Sequence, residues 1–230
     1  MTGDLDCQVI TYGFDPSCDY YAENISYNEH ACGQFDAMYR GEFLGHISLN
    51  VTGEHNVSNA LSAIAAARYL NLPMEQILKG LSGFGGTDRR FQYKGRFQDV
   101  TIIDDYAHHP TEIRATLQAA KNYPHREIWC VFQPHTYTRT KAFFKDFAAA
   151  LSSADHVVLA DIFAARETDT LGISSRDLQK EIEALGTDCH YFPSFSEIED
   201  FLKSHCIHGD LLITMGAGDV VDIGENLLSE

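Results

Sequence analysis

The residues best suited to chemistry lie in one stretch, Ile102-Ile103-Asp104-Asp105-Tyr106-Ala107-His108-His109-Pro110-Thr111-Glu112. Two carboxylates, a phenol and two imidazoles crowd together there, a density that marks clefts where ionisable groups act on ligands. Either aspartate alone would be an ordinary turn or cap residue. The apolar run 100–103 before the cluster reads as a strand. Pro110 then suits a first helical position, and Ile113, Leu117 and Ala120 continue a helical face. In an open α/β sheet the turn leaving the C-terminal end of a strand is where ligands bind.

The elements that must position this cluster follow from the pattern beyond Val100. Strands are expected at 100–104, 128–133, 156–161, 188–192 and 211–215, with helices near 111–122, 139–150, 174–185, 196–203 and 220–228. Strict alternation of this kind predicts a Rossmann-like α/β domain with a mostly parallel sheet. Two further polar loops follow strands: Pro134-His135-Thr136-Tyr137-Thr138-Arg139-Thr140-Lys141, and Asp161 to Glu167. Three polar loops at one sheet edge predict one site.

Before Val100 the pattern differs. Segments 8–12, 20–27, 34–39 and 43–51 read as an antiparallel β-meander, with Phe43, Gly45, Ile47, Leu49 and Val51 alternating toward a buried face. A helix from about Gly53 to Asn71 puts Asn56 and Asn59 three apart on one face. Those amides serve either as local caps or to read a polar ligand edge such as adenine. A second helix, from Pro73 to about Leu81, ends at Gly83-Phe84-Gly85-Gly86, which reads as a boundary between residues 1–84 and 85–230. Arg89-Arg90 follow, either solvated charges or basic residues placed at a hinge.

Composition narrows the possibilities. Seventeen basic against 33 acidic residues, a formal charge of −16, disfavour a nucleic-acid surface. No apolar run approaches the roughly 20 residues of a membrane span, and residues 1–4 show no secretory signal. Six cysteines without paired spacing suit reduced thiols in cytoplasm. Cys189-His190 and His205-Cys206-Ile207-His208 fit no zinc pattern, so no metal ligand is assigned. Gly216-Ala217-Gly218-Asp219-Val220-Val221 lacks the third glycine of a dinucleotide fingerprint, and no Gly-x-x-x-x-Gly-Lys-Ser/Thr occurs. A phosphoacceptor receiver would need a basic partner at the last strand, where Thr214-Met215-Gly216 stands.

These motifs together resemble the Mur ligases, and within them the alanine-adding branch. Gly53-Glu54-His55-Asn56-Val57-Ser58-Asn59-Ala60-Leu61 resembles the adenine-side helix, Arg89-Arg90-Phe91 the interdomain arginine motif, and Asp104 to Glu112 with Phe132 to Thr140 the branch's amino-acid loops. The resemblance spans essentially the whole chain. It implies a remnant of the central ATPase domain at 1–84, so that Met1 starts in mid-domain, and the C-terminal ligase domain at 85–230. The activity implied is ATP- and Mg2+-dependent joining of L-alanine to UDP-N-acetylmuramate through an acyl phosphate, with the metal ligands mainly in the central domain. Carried over by position, His55, Asn56, Asn59, Arg90 and Asp105 would bind ATP, Asp105 through the ribose. Tyr106, His108, His135 and Arg139 would surround the alanine, with Arg139 on its carboxylate, and Arg90 and His108 would act in catalysis. Thr136 departs from the arginine often found there. Taken alone the chain is expected to be inactive. The alternative is a non-catalytic nucleotide- or ligand-binding α/β module.

Overall fold

The computed structural model describes residues 7–168 and 171–229, so the signal-peptide reading of residues 1–4 lies outside them. The chain divides into two compact units, residues 1–86 and 87–230.

In the first unit a four-stranded sheet runs β1 (Tyr12–Gly13), β2 (Tyr20–Tyr27), β3 (Cys32–Tyr39), β4 (Glu42–Thr52) in spatial order. The last three strands are the expected antiparallel meander. The first is not: it is two residues long, lies later than expected, and pairs parallel to β2. The predicted alternation of β4 holds at Gly45, Ile47 and Leu49, whereas Phe43 is 58% exposed. A register shift between Ala37 and Met38 moves the partner from Gly45 to Phe43. Such a bulge puts an extra residue in one strand and inverts the facing of what lies beyond it.

Helices α1 (Glu54–Tyr69) and α2 (Met74–Gly83) complete this unit, with Val57, Leu61, Ile64 and Ile77 in one core with Phe35, Ile47 and Leu49. Asn71 ends α1 for a clear reason. Its φ of 60° reverses the chain, so that its own N–H reaches the Arg68 carbonyl at 2.9 Å and that of Leu72 reaches Ala67 at 3.0 Å. Asn tolerates this left-handed turn, which satisfies otherwise orphaned helix carbonyls.

The second unit holds a six-stranded sheet. Along the chain come β5 (Gln92–Phe97), β6 (Val100–Asp105), α3 (Pro110–Lys121), β7 (Ile128–Phe132), α4 (Tyr137–Ala142), α5 (Phe144–Leu151), β8 (His156–Leu159), α6 (Ser175–Ala184), β9 (Asp188–Tyr191), α7 (Phe195–His205), β10 (Leu211–Met215) and α8 (Val221–Leu228). The spatial order is β5-β6-β10-β7-β8-β9, parallel except for β5. Because β6, β7 and β10 are covered on both faces, every residue in them is buried. Ile113, Leu117, Phe147, Leu151, Leu178 and Ile182 of α3, α5 and α6 pack on one face. Ile198, Leu202, Ile223 and Leu227 of α7 and α8 pack on the other.

Two sequence expectations need correcting here. Strand β5 was not foreseen: its residues, Gln-Tyr-Lys-Gly-Arg-Phe, alternate weakly, as suits an antiparallel edge with only one neighbour. The single helix expected at 139–150 is two, broken at Phe143 (φ −112°, ψ 23°). Its ring lies edge-on against His109 at 4.8 Å and near Phe147 at 6.4 Å.

Candidate functional site

β10 returns between β6 and β7, so the loops after these three strands emerge side by side. This is the switch point at which a parallel sheet opens a crevice. Gly216 N–H donates to the Asp105 carbonyl at 3.0 Å and Gln133 N–H to that of Met215 at 3.1 Å, fixing the loops at their roots.

The paired aspartates turn inward. Asp104 is fully buried, accepting from Arg89 Nε at 2.9 Å and from the Thr214 hydroxyl at 2.8 Å. Asp105 is 5% exposed and accepts backbone N–H groups from Phe91 at 2.9 Å and Ala107 at 2.8 Å. Burial pushes its pKa up, while those bonds, Thr116 and Arg90 pull it down. Both oxygens of Asp105 are thus engaged in shaping the turn. Of the adjacent arginines, Arg89 is the structural one. It also donates to the carbonyls of Gly218 at 3.0 Å and Gly216 at 2.7 Å and covers the Tyr106 ring at 4.9 Å. Arg90 is exposed.

The histidines are poised differently. His109 caps α3, its ring accepting from Thr111 N–H at 3.3 Å, while the Glu112 carboxylate takes the N–H groups of His108 at 3.0 Å and His109 at 3.2 Å. His108 Nδ1 lies 3.0 Å from the Tyr106 carbonyl, an atom that only accepts, so Nδ1 carries the proton and Nε2 of the neutral ring is a lone pair. His135 has the opposite tautomer. Arg139 Nη1 donates to its Nδ1 at 3.3 Å, leaving the proton on Nε2. Burial first, then Arg139 and His108, hold the His135 pKa below the ordinary histidine value. The two rings stand edge to face, centroids 6.0 Å apart, with Tyr106 5.4 Å from His108. Tyr106, His108, His135 and Arg139 are therefore brought together, with an acceptor imidazole beside a donor one.

The third loop holds this group from behind. Phe163 stacks on His135 at 5.6 Å, and its backbone brackets that residue, Phe163 N–H to the Pro134 carbonyl at 2.8 Å and Thr136 N–H to the Phe163 carbonyl at 2.9 Å. Glu167 accepts from Thr138 N–H at 2.9 Å and from its hydroxyl, which caps α4 where no local side chain does. Phe163, Glu167 and Gln133 escaped sequence reasoning at the level of the single residue. Phe163 and Glu167 were visible only as members of a polar post-strand loop, and Gln133 only as the end of a strand and a member of the motif 132–140.

His55, Asn56 and Asn59 belong to the first unit. Asn59 Nδ2 donates to Asn56 Oδ1 at 3.1 Å, and Asn56 Nδ2 donates to the Thr52 carbonyl at 2.9 Å and lies 3.2 Å from His55 Nε2. The helix they open has Gly53 as N-cap with no side-chain cap, so capping does not account for both amides. Asn56 and Asn59 line a cavity of about 380 Å³ together with Leu49, Val51, Ala60, Ala63, Leu81 and Phe84. Apolar walls with carboxamides at the margin suit a flat heteroaromatic base.

Among the described residues no three His, Cys, Asp or Glu side chains converge on a metal position. Nor is any helix among them long and apolar enough to cross a membrane. All six cysteines are free, and burial pushes the thiols of Cys189 and Cys206 up to about 12, well away from reactivity.

Comparison with known proteins agrees with this architecture. Residues 89–218 match the Mur ligase glutamate ligase domain and residues 1–67 the Mur ligase middle domain. The chain belongs to the Mur ligase family. It is 61% identical over 226 residues to the UDP-N-acetylmuramate–L-alanine ligase of Agathobacter rectalis, an alignment covering 98% of this chain and 49% of that protein. The ligase of the same name from Lachnoclostridium phytofermentans is 52% identical, over 99% of this chain and 50% of its own length. Among solved structures, UDP-N-acetylmuramate–alanine ligase from Thermotoga maritima superposes with a TM-score of 0.79 at 28% identity, covering 96% of this chain and 47% of that one. The chain spans about half the length of the curated relatives it matches.

Proposed function

We propose that this chain forms the amino-acid side and part of the nucleotide side of an ATP-dependent, cytoplasmic UDP-N-acetylmuramate–L-alanine ligase. The observation that carries the reading is the group of Tyr106, His108, His135 and Arg139 at the switch point, in a chain so similar to ligases bearing that name. ATP supplies the activation, by phosphorylating the lactyl carboxylate. The amide cavity of the first unit takes the adenine, with Asn56 and Asn59 in its lining and His55 beside Asn56, and Arg90 meets phosphate. We assign no Mg2+ ligand among the described residues, where no three His, Cys, Asp or Glu side chains converge.

In the second unit the chemistry follows from tautomers. Arg139 pairs with the carboxylate of L-alanine, a charge-assisted contact. His108, with a lone pair on Nε2, accepts the proton that the amine sheds as it attacks the acyl phosphate carbonyl, and the C–O bond to phosphate then breaks to release inorganic phosphate. His135, kept neutral, donates Nε2–H where oxyanion charge develops. Tyr106, under Arg89, walls the site. Asp105 accepts one backbone N–H on each oxygen and keeps a further lone pair on each, so we assign it both to the turn and to the ribose contact that the resemblance implies.

The test is ADP release with Mg-ATP, UDP-N-acetylmuramate and L-alanine. The 230-residue chain alone is expected to be silent, since no phosphate-cradling glycine-rich motif is among its residues. Joined behind the N-terminal half of the A. rectalis ligase, it is expected to give alanine-dependent release. A folded, ATP-binding chimera that releases none would favour a non-catalytic binding module.

A further inference from the structure

An amino acid reaches such a site with two charges, and the carboxylate partner Arg139 answers only one. The ammonium needs an acceptor of negative charge at the same crevice. Most acidic groups at this sheet edge are already engaged. Asp104 is taken by Arg89 and Thr214, and Asp105 by the N–H groups of Phe91 and Ala107. Glu112 takes the N–H groups of His108 and His109 on Oε2 alone, but its side chain is held at the start of α3 as part of the capping box there. Glu167 holds the first turn of α4, and Asp161 accepts from the Tyr191 hydroxyl two strands away from β10.

Asp219 differs. It lies four residues beyond β10, on the loop that emerges between the His108 and His135 loops, and it is exposed. One of its oxygens accepts from Gln133 Nε2 at 2.8 Å, and the other makes no hydrogen bond among the described residues. It does not cap α8, whose N-terminus has no side-chain cap. Gln133 is itself only 5% exposed, and its Oε1 is buried without a donor. A buried amide with an orphaned acceptor is costly, and here it is kept in the position that aims Asp219.

The loop is cut to fit this arrangement. A Cβ on Gly218 would lie 2.2 Å from Gln133 Oε1 and 2.9 Å from the Phe163 ring. One on Gly216, at φ 147°, would lie 2.8 Å from the Gln133 carbonyl. Through Gly218 the loop touches Phe163, on which His135 stacks, and Arg89, which covers Tyr106. The residue before Asp219 is thus held against Phe163 and Arg89, which back the two halves of the amino-acid group.

We propose that Asp219 binds the α-ammonium of the incoming amino acid and that Gln133 is the positioning residue that orients it. The assignment rests on the amino-acid reading of the site and deepens it.

The experiment uses the 230-residue chain, with amide NMR titrations of L-alanine, propionate and L-alaninamide. L-alanine is expected to bind tighter than propionate. Asp219→Asn retains an acceptor for Gln133 and removes only the charge. It is expected to weaken L-alanine and L-alaninamide by roughly tenfold or more, with propionate unchanged. Asp219→Glu is expected to restore part of the loss, and Gln133→Ala to weaken the two ammonium ligands with propionate again spared. Equal L-alanine affinity in the wild type and Asp219→Asn would overturn the assignment while leaving the amino-acid site standing. So would equal affinity of the wild type for L-alanine and propionate, a comparison that needs no variant to fold. Failure of the wild type to bind either L-alanine or propionate would overturn the amino-acid reading and this assignment with it.

Discussion

Neighbouring residues of the same type do different work here, and their partners show which does what. Arg89 neutralises a fully buried carboxylate and ties two carbonyls, whereas Arg90 is exposed. Removing one partner of a buried pair leaves an uncompensated charge, a loss of about 3–5 kcal/mol. Arg89→Ala is therefore expected to lower stability by about 3 kcal/mol in urea unfolding, and Arg90→Ala by no more than about 0.5. Equal effects would remove the distinction.

His135 gives a pH signature at the same scale. Its folded pKa is depressed, so the folded state binds that proton less readily than the unfolded one. Its contribution is present above the unfolded value, near 6.5, and is lost as pH falls through the folded one. Proton NMR should show His135 titrating below a free histidine. Arg139→Gln should move it upward, because one of the charges that depress it is gone. A His135 that titrates at the free value would contradict the half-buried, Arg139-bonded ring. The chemistry-bearing types in these loops were legible in the sequence because they crowd together after strands. The tautomers were not, since they turn on which atom of Tyr106 or Arg139 each ring meets, nor was the engagement of Asp105, which draws on Phe91 from another segment.

At the scale of elements, the sequence shows most clearly what local pattern determines. The five parallel strands, the capped start of α3 at Pro110 and the end of α1 at Asn71 all carry strong local signals. What stayed hidden was set by pairing. β5 is an edge strand with little alternation, β1 is fixed by its register against β2, and the exposure of Phe43 follows from a bulge. The break at Phe143 arises from ring contacts that no helical periodicity encodes. The loop after β10 offers a direct test. Gly216→Ala places a side chain at φ 147° against the Gln133 backbone. Strain and overpacking of this kind cost about 1–3 kcal/mol each. Chemical denaturation should show a loss of at least that size, and the His135 and Gln133 resonances should move. A stable variant with unshifted loops would mean that the close approach is not needed.

Across the whole molecule, the core of the first unit shares no residue with the two cores that flank the sheet of the second, which implies two cooperative units. Residues 87–230, made alone, are expected to fold and to unfold in a single transition, keeping the amide spectrum of their counterparts in the full chain. A fragment without dispersed amide resonances would show that this unit depends on the other. The sequence places a boundary between residues 84 and 85, at the glycines that end α2, and the compact units divide between 86 and 87. The amide-lined cavity was visible only as two asparagines three apart, since its apolar wall is built from β4 and α2 as well as α1.

The central claim, that this chain delivers the amino acid to a ligase, is tested most directly by the KM for L-alanine in the chimera with the A. rectalis N-terminal half. Arg139→Gln removes the charge proposed to hold the alanine carboxylate, a contact of about 1.5–3 kcal/mol. The KM for L-alanine should rise by roughly ten- to a hundredfold, with the KM for ATP unchanged. An unchanged alanine KM, or equal rises for both substrates, would contradict the account.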